Sequence, residues 1–218
     1  MAASASWSVL VPAAGTGERI GRGPKLELTL GGRTFLDRVL EVALGFCDDV
    51  IVGVHETVES RLTVPGCRFV VGGPTRQETV RRLLDASRRE WLVIHDVARP
   101  LASPALFGRV AEAAARTGAA AAVGPVDVPV ALIDEGCIVG ARPAAGVGLF
   151  QTPLAFHRDV LAAAYAAAEA EGRAAQSTVE LVLAAGTKVV AVPGERSNFK
   201  VTTPDDLVLA EALATRSR

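Results

Sequence analysis

The stretch VPAAGTGERIGRGPKL, from Val11 to Leu26, marks the end of the first predicted strand and the loop that comes after it. Alanines and glycines replace the large side chains of the run Trp7–Val11, and glycine lets another molecule approach the backbone closely because it has no side chain. Arg19, Arg22 and Lys25 then come within seven residues, so the approaching molecule is expected to be an anion. Phosphate is the anion that such loops usually bind. The stretch therefore predicts a strand that leads into a phosphate-binding loop.

The same alternation continues along the chain, with short apolar runs separated by longer segments of helical periodicity. This pattern is typical of a mostly parallel sheet covered by helices, so the predicted fold is α/β and Rossmann-like. The predicted strands are Trp7–Val11, Val50–Val54, Arg68–Val71, Trp91–Ile94, Ala119–Val123 and Lys188–Val192. Capping residues mark the predicted helix starts, which are Thr34 with Asp37, Thr75 with Glu78, Ser103 before Pro104, and Thr203 before Pro204.

The alternation lapses between Pro125 and Gly148. Two short β-like runs flank Gly136 there, and they predict a hairpin arm that projects from the main sheet. Such an arm usually packs against another surface, and a second copy of the chain is the simplest candidate. We therefore expect a homodimer of a single domain, residues 1–218, with residues 125–148 as the projecting dimerisation arm.

Composition limits the function classes that the chain can belong to. The 218 residues are 50% hydrophobic with a formal net charge of -1, so we expect no nucleic-acid partner and no membrane partner. Cys47, Cys67 and Cys137 lie far apart, which argues against a disulfide framework or zinc site and favours a reducing compartment. The N-terminal apolar run is too short for a signal peptide, and no run reaches the length of a membrane span. These features predict a cytoplasmic protein.

Two known phosphate motifs do not fit the first loop. A Rossmann fingerprint requires G-x-G-x-x-G and an acidic residue roughly 20 positions later, whereas Gly15, Gly17 and Gly21 have a different spacing. A Walker loop requires Gly-Lys followed by Ser or Thr, whereas Lys25 follows Pro24. The alternative is a glycine-rich turn with solvated cations, although Pro24 fixes the backbone beside Lys25 and so helps to aim it.

The stretch VIHDVARPL, residues 93–101, carries a carboxylate at the end of a predicted strand. In parallel α/β sheets this position points into the crevice where ligands bind, so Asp96 is a candidate for holding Mg²⁺ or a ribose hydroxyl. An ion pair between Asp96 and Arg99 that only shapes the loop is the alternative. His95 alternates away from Asp96 along the strand and is predicted to pack in the interior.

Two further stretches are weaker signals. In VVGGPTRQETV, residues 70–80, Arg76 and Thr79 fall on the first turn of a helix whose free N–H groups could face a polar ligand. A simple tight turn is an equally good interpretation. In NFKVTTPDDL, residues 198–207, Lys200 stands just before a capped helix start, and the two aspartates are predicted to be N-terminal helix charges.

Taken together, these stretches resemble the 2-C-methyl-D-erythritol 4-phosphate cytidylyltransferase family, which acts in non-mevalonate isoprenoid synthesis. The matching motifs are PAAGTGERIG..PK, GG..R...V, HD.ARP, QTP and FKVT.P.DL, and they lie along nearly the whole chain. The resemblance implies a nucleotide-binding α/β fold, a homodimer with a projecting arm, and a requirement for CTP and Mg²⁺. It also implies transfer of CMP from CTP to the polyol phosphate 2-C-methyl-D-erythritol 4-phosphate, with release of pyrophosphate.

The resemblance further implies roles for individual residues. Arg19 and Lys25 would stabilise charge on the α-phosphate and the leaving pyrophosphate, and the implied catalytic set is completed by Asp96 and Lys200. Asp96 would also hold the metal. The implied nucleotide-binding residues are Pro12, Ala13, Ala14, Gly15, Gly17, Gly73, Arg76, Thr79 and Asp96. The implied acceptor-binding residues are Arg99, Arg142, Thr152 and Lys200.

The chain departs from the family pattern mainly on the acceptor side. VDVPVA stands where the family has Asp-Thr in the arm. Ala144 replaces an arginine expected eight residues before Thr152, and Arg142, two positions away, is the candidate substitute. The other departures are Gln176, Ser177 and Thr178 in place of Thr-Asp-Glu, Leu26 in place of Gln, and Thr79 in place of Ser.

Two alternative functions stay open on the sequence. The first is a related enzyme that uses another polyol phosphate, such as ribitol 5-phosphate, because a changed acceptor pocket is how specificity would move. The second is a nucleotide-binding protein with weak or no catalysis. The joint retention of Arg19, Lys25 and Asp96 argues against it, because binding alone does not require cations at the leaving group.

Overall fold

A seven-stranded sheet forms the centre of the protein in a computed structural model, which describes residues 6–17, 21, 23–59 and 61–216. In chain order the strands are β1 (Trp7–Pro12), β2 (Thr29–Leu30), β3 (Arg33–Thr34), β4 (Val50–Val54), β5 (Cys67–Val71), β6 (Trp91–Ile94), β7 (Ala119–Pro125), β8 (Val130–Asp134), β9 (Cys137–Arg142), β10 (Gly148–His157) and β11 (Val190–Pro193). The helices are α1 (Phe35–Phe46), α2 (Glu56–Glu59), α3 (Arg76–Ala86), α4 (Pro104–Thr117), α5 (Arg158–Ala170), α6 (Thr178–Ala184) and α7 (Pro204–Arg216).

The central sheet has the strand order β11-β7-β10-β6-β1-β4-β5. β1 pairs in parallel with β4 and with β6, β4 pairs in parallel with β5, and β7 pairs in parallel with β11. β10 runs antiparallel between β6 and β7. The prediction of an α/β fold with a mostly parallel sheet is therefore confirmed. Because β1, β4, β5 and β6 are parallel, their C-terminal ends meet at one edge, where such sheets bind ligands.

β10 has no counterpart among the predicted strands, and its sequence shows why. GLFQTPLAFH contains Pro153, which normally argues against a central strand because proline has no N–H for the ladder. Here neither hydrogen-bond ladder includes Pro153. The pairing with β7 shifts register between Phe150 and Leu154, and the pairing with β6 begins at Leu154. Residues 151–153 therefore lie outside the regular ladders, where their side chains and carbonyls can shape a site.

Helices cover both faces of the sheet because its strands are apolar on both. In β1, Val9 and Val11 pack into one core with buried side chains of α1, α4 and α7, whereas Leu10 packs into a second core with α3, α5 and α6. A strand covered on both sides is expected to be a continuous apolar run, which is the pattern that predicts β1 in the sequence. None of the described helices has the length and apolar character needed to cross a membrane.

The four predicted helix starts agree with the observed starts of α1, α3, α4 and α7. In α1 and α3 the capping boxes are complete, since the threonine accepts from the third backbone N–H and the acid accepts from the cap's own N–H. Pro104 and Pro204 occupy the first positions of α4 and α7. Short-range sequence signals thus set where these helices begin, and α3 begins directly after the loop that follows β5.

A hairpin forms where the alternation of the sequence lapses. β8 and β9 pair antiparallel through a turn at Glu135 and Gly136, whose φ values of 45° and 80° suit a type I′ hairpin turn. The two strands form a sheet separate from the central one. Ile133, Ile138 and Val139 are 68%, 75% and 63% exposed, so the hairpin carries apolar side chains that this chain does not cover.

Candidate active site

A cleft of about 240 Å³ opens at the C-terminal ends of β1 and β6. The loops that follow β1, β5 and β6 line it, together with Lys25 and Lys200. Four stretches that are distant in the sequence therefore meet at the edge of the sheet where ligands are expected. The lining residues are Pro12, Ala13, Ala14, Gly15, Lys25, Gly73, Pro74, Thr75, Arg76, Thr79, Asp96, Val97, Ala98 and Lys200.

The loop after β1 contributes backbone and small side chains to the cleft. The N–H of Ala13 donates to the carbonyl of Gly53 at 2.7 Å, which ties the start of the loop to β4. Further on, Gly17 has a φ of 76°, and a β-carbon there would overlap the carbonyl oxygen of Gly23. Only glycine fits at this position, so the close folding of the loop on itself depends on it.

Two cations are expected at the triphosphate, and one of them, Lys25, is among the described residues. Lys25 lies in a single 3-10 turn, Lys25–Glu27, that directly follows Pro24. Its Nζ donates to the carbonyl of Val201 at 2.8 Å, which joins the first loop to the segment before α7. Arg19 lies outside the described residues, so its role stays a prediction.

The turn after β5 is held in shape by Thr79. Its hydroxyl, buried with the rest of the side chain, accepts from the N–H of Gly73 at 3.1 Å and donates to the carbonyl of Thr75 at 2.9 Å. A β-carbon at Gly73 would overlap the side chain of Glu78. One at Gly72 would lie 2.6 Å from the β-carbon of Ala14, on the opposite loop of the cleft. Gly73 and Thr79 therefore form a compact wall of the cleft whose shape is set by backbone hydrogen bonds.

Three charged side chains from distant parts of the chain meet at the wall of the cleft, and we call Arg76, Asp96 and Lys200 the charged cluster. Oδ1 of Asp96 accepts from Nε and Nη2 of Arg76 at 3.0 and 2.8 Å, and Oδ2 accepts from Nζ of Lys200 at 2.9 Å. Burial by itself would raise the pKa of Asp96, but the two cations outweigh it and hold that pKa well below its usual range. The carboxylate is therefore ionised, and the cluster carries a net positive charge that suits an anionic ligand.

Asp96 and Arg99 do not form the ion pair considered from the sequence, because each side chain has other partners. The guanidinium of Arg99 donates to the carbonyls of Asn198 at 2.7 Å and Phe150 at 2.9 Å. Its side chain is buried, and burial lowers the pKa of the guanidinium. Arg99 thus joins the loop after β6 to β10 and to the segment before α7.

A second cavity, of about 110 Å³, shares all three residues of the charged cluster with the cleft. Ligands in the two cavities would therefore meet at the cluster. The remaining lining of the smaller cavity comes from the loop after β6, from β10 and from the region around the start of α6. These residues are Arg99, Phe150, Gln151, Thr152, Leu154, Gln176, Ser177 and Val179.

Thr152 and His95 form a buried pair beside the smaller cavity. Oγ1 of Thr152 accepts from the N–H of Asp96 at 3.0 Å and lies 3.1 Å from Nδ1 of His95. The predicted interior packing of His95 is confirmed, since it is 1% exposed and its ring lies 4.9 Å from that of Phe107. This burial lowers the pKa of His95 to about 4, so the imidazole is neutral at neutral pH.

The residues that depart from the family pattern, together with Arg142 as the candidate substitute for the arginine that Ala144 replaces, fall in three different environments. Arg142 is exposed on β9 and lines neither cavity of this chain. Gln176 and Ser177 line the smaller cavity, and Oγ1 of Thr178 accepts from Nη1 of Arg76 at 3.1 Å. Leu26 is buried in the core, so this departure does not change either cavity directly.

The donor set of the cleft can be compared with what a magnesium ion requires. Within residues 6–17, 21, 23–59 and 61–216, no three His, Cys, Asp or Glu side chains come together as a metal site. Asp96 supplies a carboxylate to both cavities. Mg²⁺ usually takes one or two carboxylates and completes its shell with substrate phosphates and water. The site therefore fits a magnesium ion that is shared with a phosphorylated ligand.

Comparison with known proteins agrees with this geometry. The chain matches the family model of 2-C-methyl-D-erythritol 4-phosphate cytidylyltransferase over residues 7–216. It belongs to this family. The enzyme of that name from Thermus thermophilus is 45% identical over 208 residues, covering 95% of this chain and 96% of the relative. The one from Deinococcus radiodurans is 41% identical over 206 residues, covering 94% of this chain and 88% of the relative.

The fold comparison gives the same result. The crystal structure of 2-C-methyl-D-erythritol 4-phosphate cytidylyltransferase from Thermus thermophilus superposes with a TM-score of 0.84 at 40% identity. The superposition covers 95% of this chain and 98% of that chain. The resemblance drawn from the motifs is thereby confirmed, and the chain is a nucleotidyltransferase.

Two contacts of this cytidylyltransferase site were not predicted from the sequence. Arg76 was expected to contact the nucleotide, but nothing near it indicated that Asp96, 20 residues later, would be its partner. His95 was recognised as buried, but not as a hydrogen-bond partner of Thr152. The one signal that could have pointed to the second contact is that His95, a polar residue predicted to be buried, directly follows the apolar strand β6, because buried polar groups are nearly always hydrogen-bonded.

Proposed function

We propose that this chain transfers CMP from CTP to 2-C-methyl-D-erythritol 4-phosphate and releases pyrophosphate, a step of isoprenoid precursor synthesis. The observation that carries the proposal is the pair of adjoining cavities that share Arg76, Asp96 and Lys200. The reaction needs two phosphorylated molecules side by side with cations between them, and this arrangement supplies both. Membership of the family supports the identity of both substrates.

CTP occupies the larger cleft in this proposal. The backbone of residues 12–15 faces the nucleotide, Gly17 closes the loop beside it, and Gly73 with Thr79 forms the compact wall against the cytosine. A wall made of small residues and fixed by backbone hydrogen bonds suits a pyrimidine. Lys25 lies at the triphosphate in this proposal, where a cation stabilises the charge of the leaving pyrophosphate. Arg19 is predicted to act at the same place.

The chemistry requires no nucleophile from the protein. An oxygen of the acceptor's phosphate attacks the α-phosphorus of CTP, and a new P–O bond forms there. The bond from the α-phosphorus to the oxygen that bridges to the β-phosphorus breaks, and its electron pair leaves with pyrophosphate. Positioning of the two phosphates and cationic stabilisation provide most of the catalysis in such a transfer. Lys25 and the charged cluster are the groups that serve these two purposes.

Asp96 would hold Mg²⁺ together with the phosphates of CTP. When bound, the ion neutralises charge on the phosphates and helps to orient them. Asp96 is suited to this because its pKa is held low and its carboxylate stays ionised.

The acceptor occupies the smaller cavity, with Lys200 at its phosphate and Thr152 and Arg99 beside the polyol. Arg142 lies on the exposed hairpin and lines neither cavity of its own chain, so the acceptor site that it would serve is that of a second copy of the chain. We therefore propose a homodimer in which residues 125–148 form the arm of a single 1–218 domain. The exposed apolar side chains of the hairpin support this. The separated cysteines support a cytoplasmic location.

The test is pyrophosphate release from CTP and Mg²⁺ with each acceptor supplied in turn. We expect release with 2-C-methyl-D-erythritol 4-phosphate, little with ribitol 5-phosphate, and a loss of release in Asp96→Asn. Asp159→Asn, at an exposed aspartate on α5 that lines neither cavity, is the matched control and should retain activity. Faster release with ribitol 5-phosphate would favour the other polyol phosphate, and CTP binding without release from any acceptor would favour a nucleotide-binding protein.

A further inference from the structure

The hydroxyl of Thr152, a residue that lines the smaller cavity, is held from two sides. The backbone N–H of Asp96 lies 3.0 Å from Oγ1, and Nδ1 of His95 lies 3.1 Å from the same oxygen. An N–H can only donate, so Oγ1 accepts from Asp96. The direction of the bond to His95 depends on which ring nitrogen carries the proton, and this determines what the hydroxyl can offer to a ligand.

The other ring nitrogen of His95 decides the tautomer. Nε2 lies 3.1 Å from the carbonyl oxygen of Arg99, and a carbonyl oxygen can only accept. Nε2 therefore carries the proton. The ring is 1% exposed and its two nitrogens contact a carbonyl and a hydroxyl, which do not balance a buried positive charge, so the ring is neutral. Nδ1 is therefore bare and accepts, and the proton of the Thr152 hydroxyl points to His95.

A threonine hydroxyl has one proton to donate and two lone pairs that accept. In Thr152 the proton is used by His95 and one lone pair by the N–H of Asp96. One lone pair is left, and Thr152 lines the smaller cavity. Toward a ligand this hydroxyl can accept a hydrogen bond but cannot donate one.

We propose that His95 is a positioning residue that fixes the Thr152 hydroxyl as a pure acceptor, so that Thr152 selects a donating hydroxyl of the polyol and disfavours a phosphate oxygen. The choice of ligand rests on the proposed function, whereas the polarity of the hydroxyl does not. An ionised phosphate has no proton to give, so it belongs on the side of Lys200, which has only donors. The acceptor is thereby oriented in its cavity by two groups of opposite hydrogen-bonding character.

The polarity can be tested on the wild-type protein without any substrate. Nitrogen-15 NMR of the histidine rings distinguishes a protonated Nε2 from a protonated Nδ1. We expect the His95 signals to show a neutral ring with the proton on Nε2. A proton on Nδ1, or on both nitrogens at neutral pH, would overturn the proposal whatever reaction the protein catalyses.

Two substitutions of His95 test its two hydrogen bonds separately. In His95→Asn the side-chain oxygen lies near the position of Nδ1 and can accept from Thr152, whereas in His95→Gln the amide lies near Nε2 and can bond only the carbonyl of Arg99. We expect the KM for 2-C-methyl-D-erythritol 4-phosphate to rise about three- to tenfold in His95→Gln and much less in His95→Asn, with the KM for CTP little changed. Equal effects of the two substitutions would show a purely structural role.

Thr152 variants identify the group that it recognises. Thr152→Val should raise the KM for the acceptor about three- to tenfold, and Thr152→Ser should restore it. Among deoxy analogues of the acceptor that each lack one hydroxyl, we expect one whose KM is the same in wild type and in Thr152→Val. If no analogue shows this, the polyol does not bind Thr152, although the NMR result would stand. If wild type turns over no acceptor, the proposed function fails and the tautomer is still measured.

Discussion

Arg76 uses three of its nitrogens at the site, two on Asp96 and one on Thr178. Burial would lower the pKa of its guanidinium, but the neighbouring carboxylate outweighs this and raises it, so the side chain stays charged. A lysine has a single ammonium on a flexible stem and cannot reproduce such a planar arrangement. Because Arg76 lines both cavities, its loss should lower kcat/KM for both substrates.

Replacement of Arg76 by lysine is expected to lower kcat/KM for CTP and for the acceptor alike. Each should fall about ten- to a hundredfold, the effect of losing charge-assisted hydrogen bonds worth about 1.5–3 kcal/mol. Arg81→Lys on the same helix is the control, because Arg81 is exposed and pairs with Asp85 one turn away. Steady-state kinetics with each substrate varied in turn provides the measurement. A fall confined to one substrate would contradict a role shared by the two cavities.

Lys25 is predicted to act on charge that develops late in the reaction. Lys25→Ala should lower kcat about 10²–10³-fold, the usual cost of removing one transition-state stabiliser, while CTP affinity changes much less. Lys188→Ala, at an exposed lysine that lines neither cavity, is the matched control. Single-turnover rates together with equilibrium binding of CTP separate the two effects. Turnover within a few-fold of wild type would mean that Lys25 only joins the first loop to the segment before α7.

Among the elements, α7 begins with an unusually dense cap. One carboxylate oxygen of Asp206 accepts from the backbone N–H and the hydroxyl of Thr202 at 2.8 and 2.7 Å, and from the N–H of Thr203 at 2.8 Å. Burial would raise the pKa of Asp206, but these donors outweigh it and lower the pKa to about 2. Because Thr202 follows Lys200 and Val201, this cap fixes the end of the segment that carries Lys200 into the site.

The cap of α7 should make stability depend on pH in the acid range. The carboxyl of Asp206 has a pKa of 3.8 in the unfolded chain and about 2 in the folded one, so its contribution is present above pH 3.8 and is lost as pH falls toward 2. Allowing for solvent screening, we expect Asp206→Asn to cost roughly 1–2 kcal/mol at pH 7 and about 0.5–1 kcal/mol less at pH 3. Urea unfolding of both proteins at the two pH values measures this. A cost independent of pH would show that the charge of Asp206 is not what stabilises the cap.

For the molecule as a whole, the hairpin of β8 and β9 is the part that the single chain does not explain. It forms its own two-stranded sheet and exposes large apolar side chains, which a monomer would leave in water. Leu149 and Phe150, at the start of β10, are also 60% and 48% exposed, and Phe150 lines the smaller cavity. A second chain packed on this surface would bury it and close the acceptor side of the site.

If the hairpin forms a dimer contact, a charge placed on it should weaken the dimer. We expect Ile138→Asp to raise the dimer dissociation constant at least about tenfold, since burial of an isoleucine side chain is worth about 1.5–3 kcal/mol. Val208→Asp is the control, because Val208 is a similarly exposed apolar residue, 66%, on a different element, α7. Sedimentation velocity over a range of concentrations measures the constant. A wild-type protein that is monomeric throughout would refute the dimer itself.

Arg142 tests whether the dimer completes the acceptor site. Arg142→Ala should raise the KM for 2-C-methyl-D-erythritol 4-phosphate about ten- to a hundredfold and leave the KM for CTP near that of wild type. Arg116→Ala is a suitable control, since Arg116 is exposed and pairs with Glu112 on α4. An unchanged acceptor KM in a dimeric protein would make Arg142 a surface residue.

Much of the fold followed from short-range signals. Continuous apolar runs predicted β1, β4 and β6, and capping residues predicted where α1, α3, α4 and α7 begin, because both depend on residues within one element. β10 was missed because Pro153 argues locally against a central strand, and the register shift that accommodates it depends on β7, which is distant in sequence. How much of the hairpin other parts of the chain cover also depends on distant contacts, which no local sequence pattern encodes.

The sequence by itself determined which residue types reach the site, since Lys25 lies in the loop after a recognisable strand, Asp96 follows the end of another, and Lys200 precedes a capped helix. It did not determine their partners. The nearest cation to Asp96 in the sequence is Arg99, three positions away, whereas its carboxylate binds Arg76 and Lys200, 20 and 104 positions away. Only the tertiary structure decided this, because the order of β1, β5 and β6 in the sheet brings separate loops to one edge. Burial of Asp96 then makes close pairing with whatever cations lie there a physical necessity.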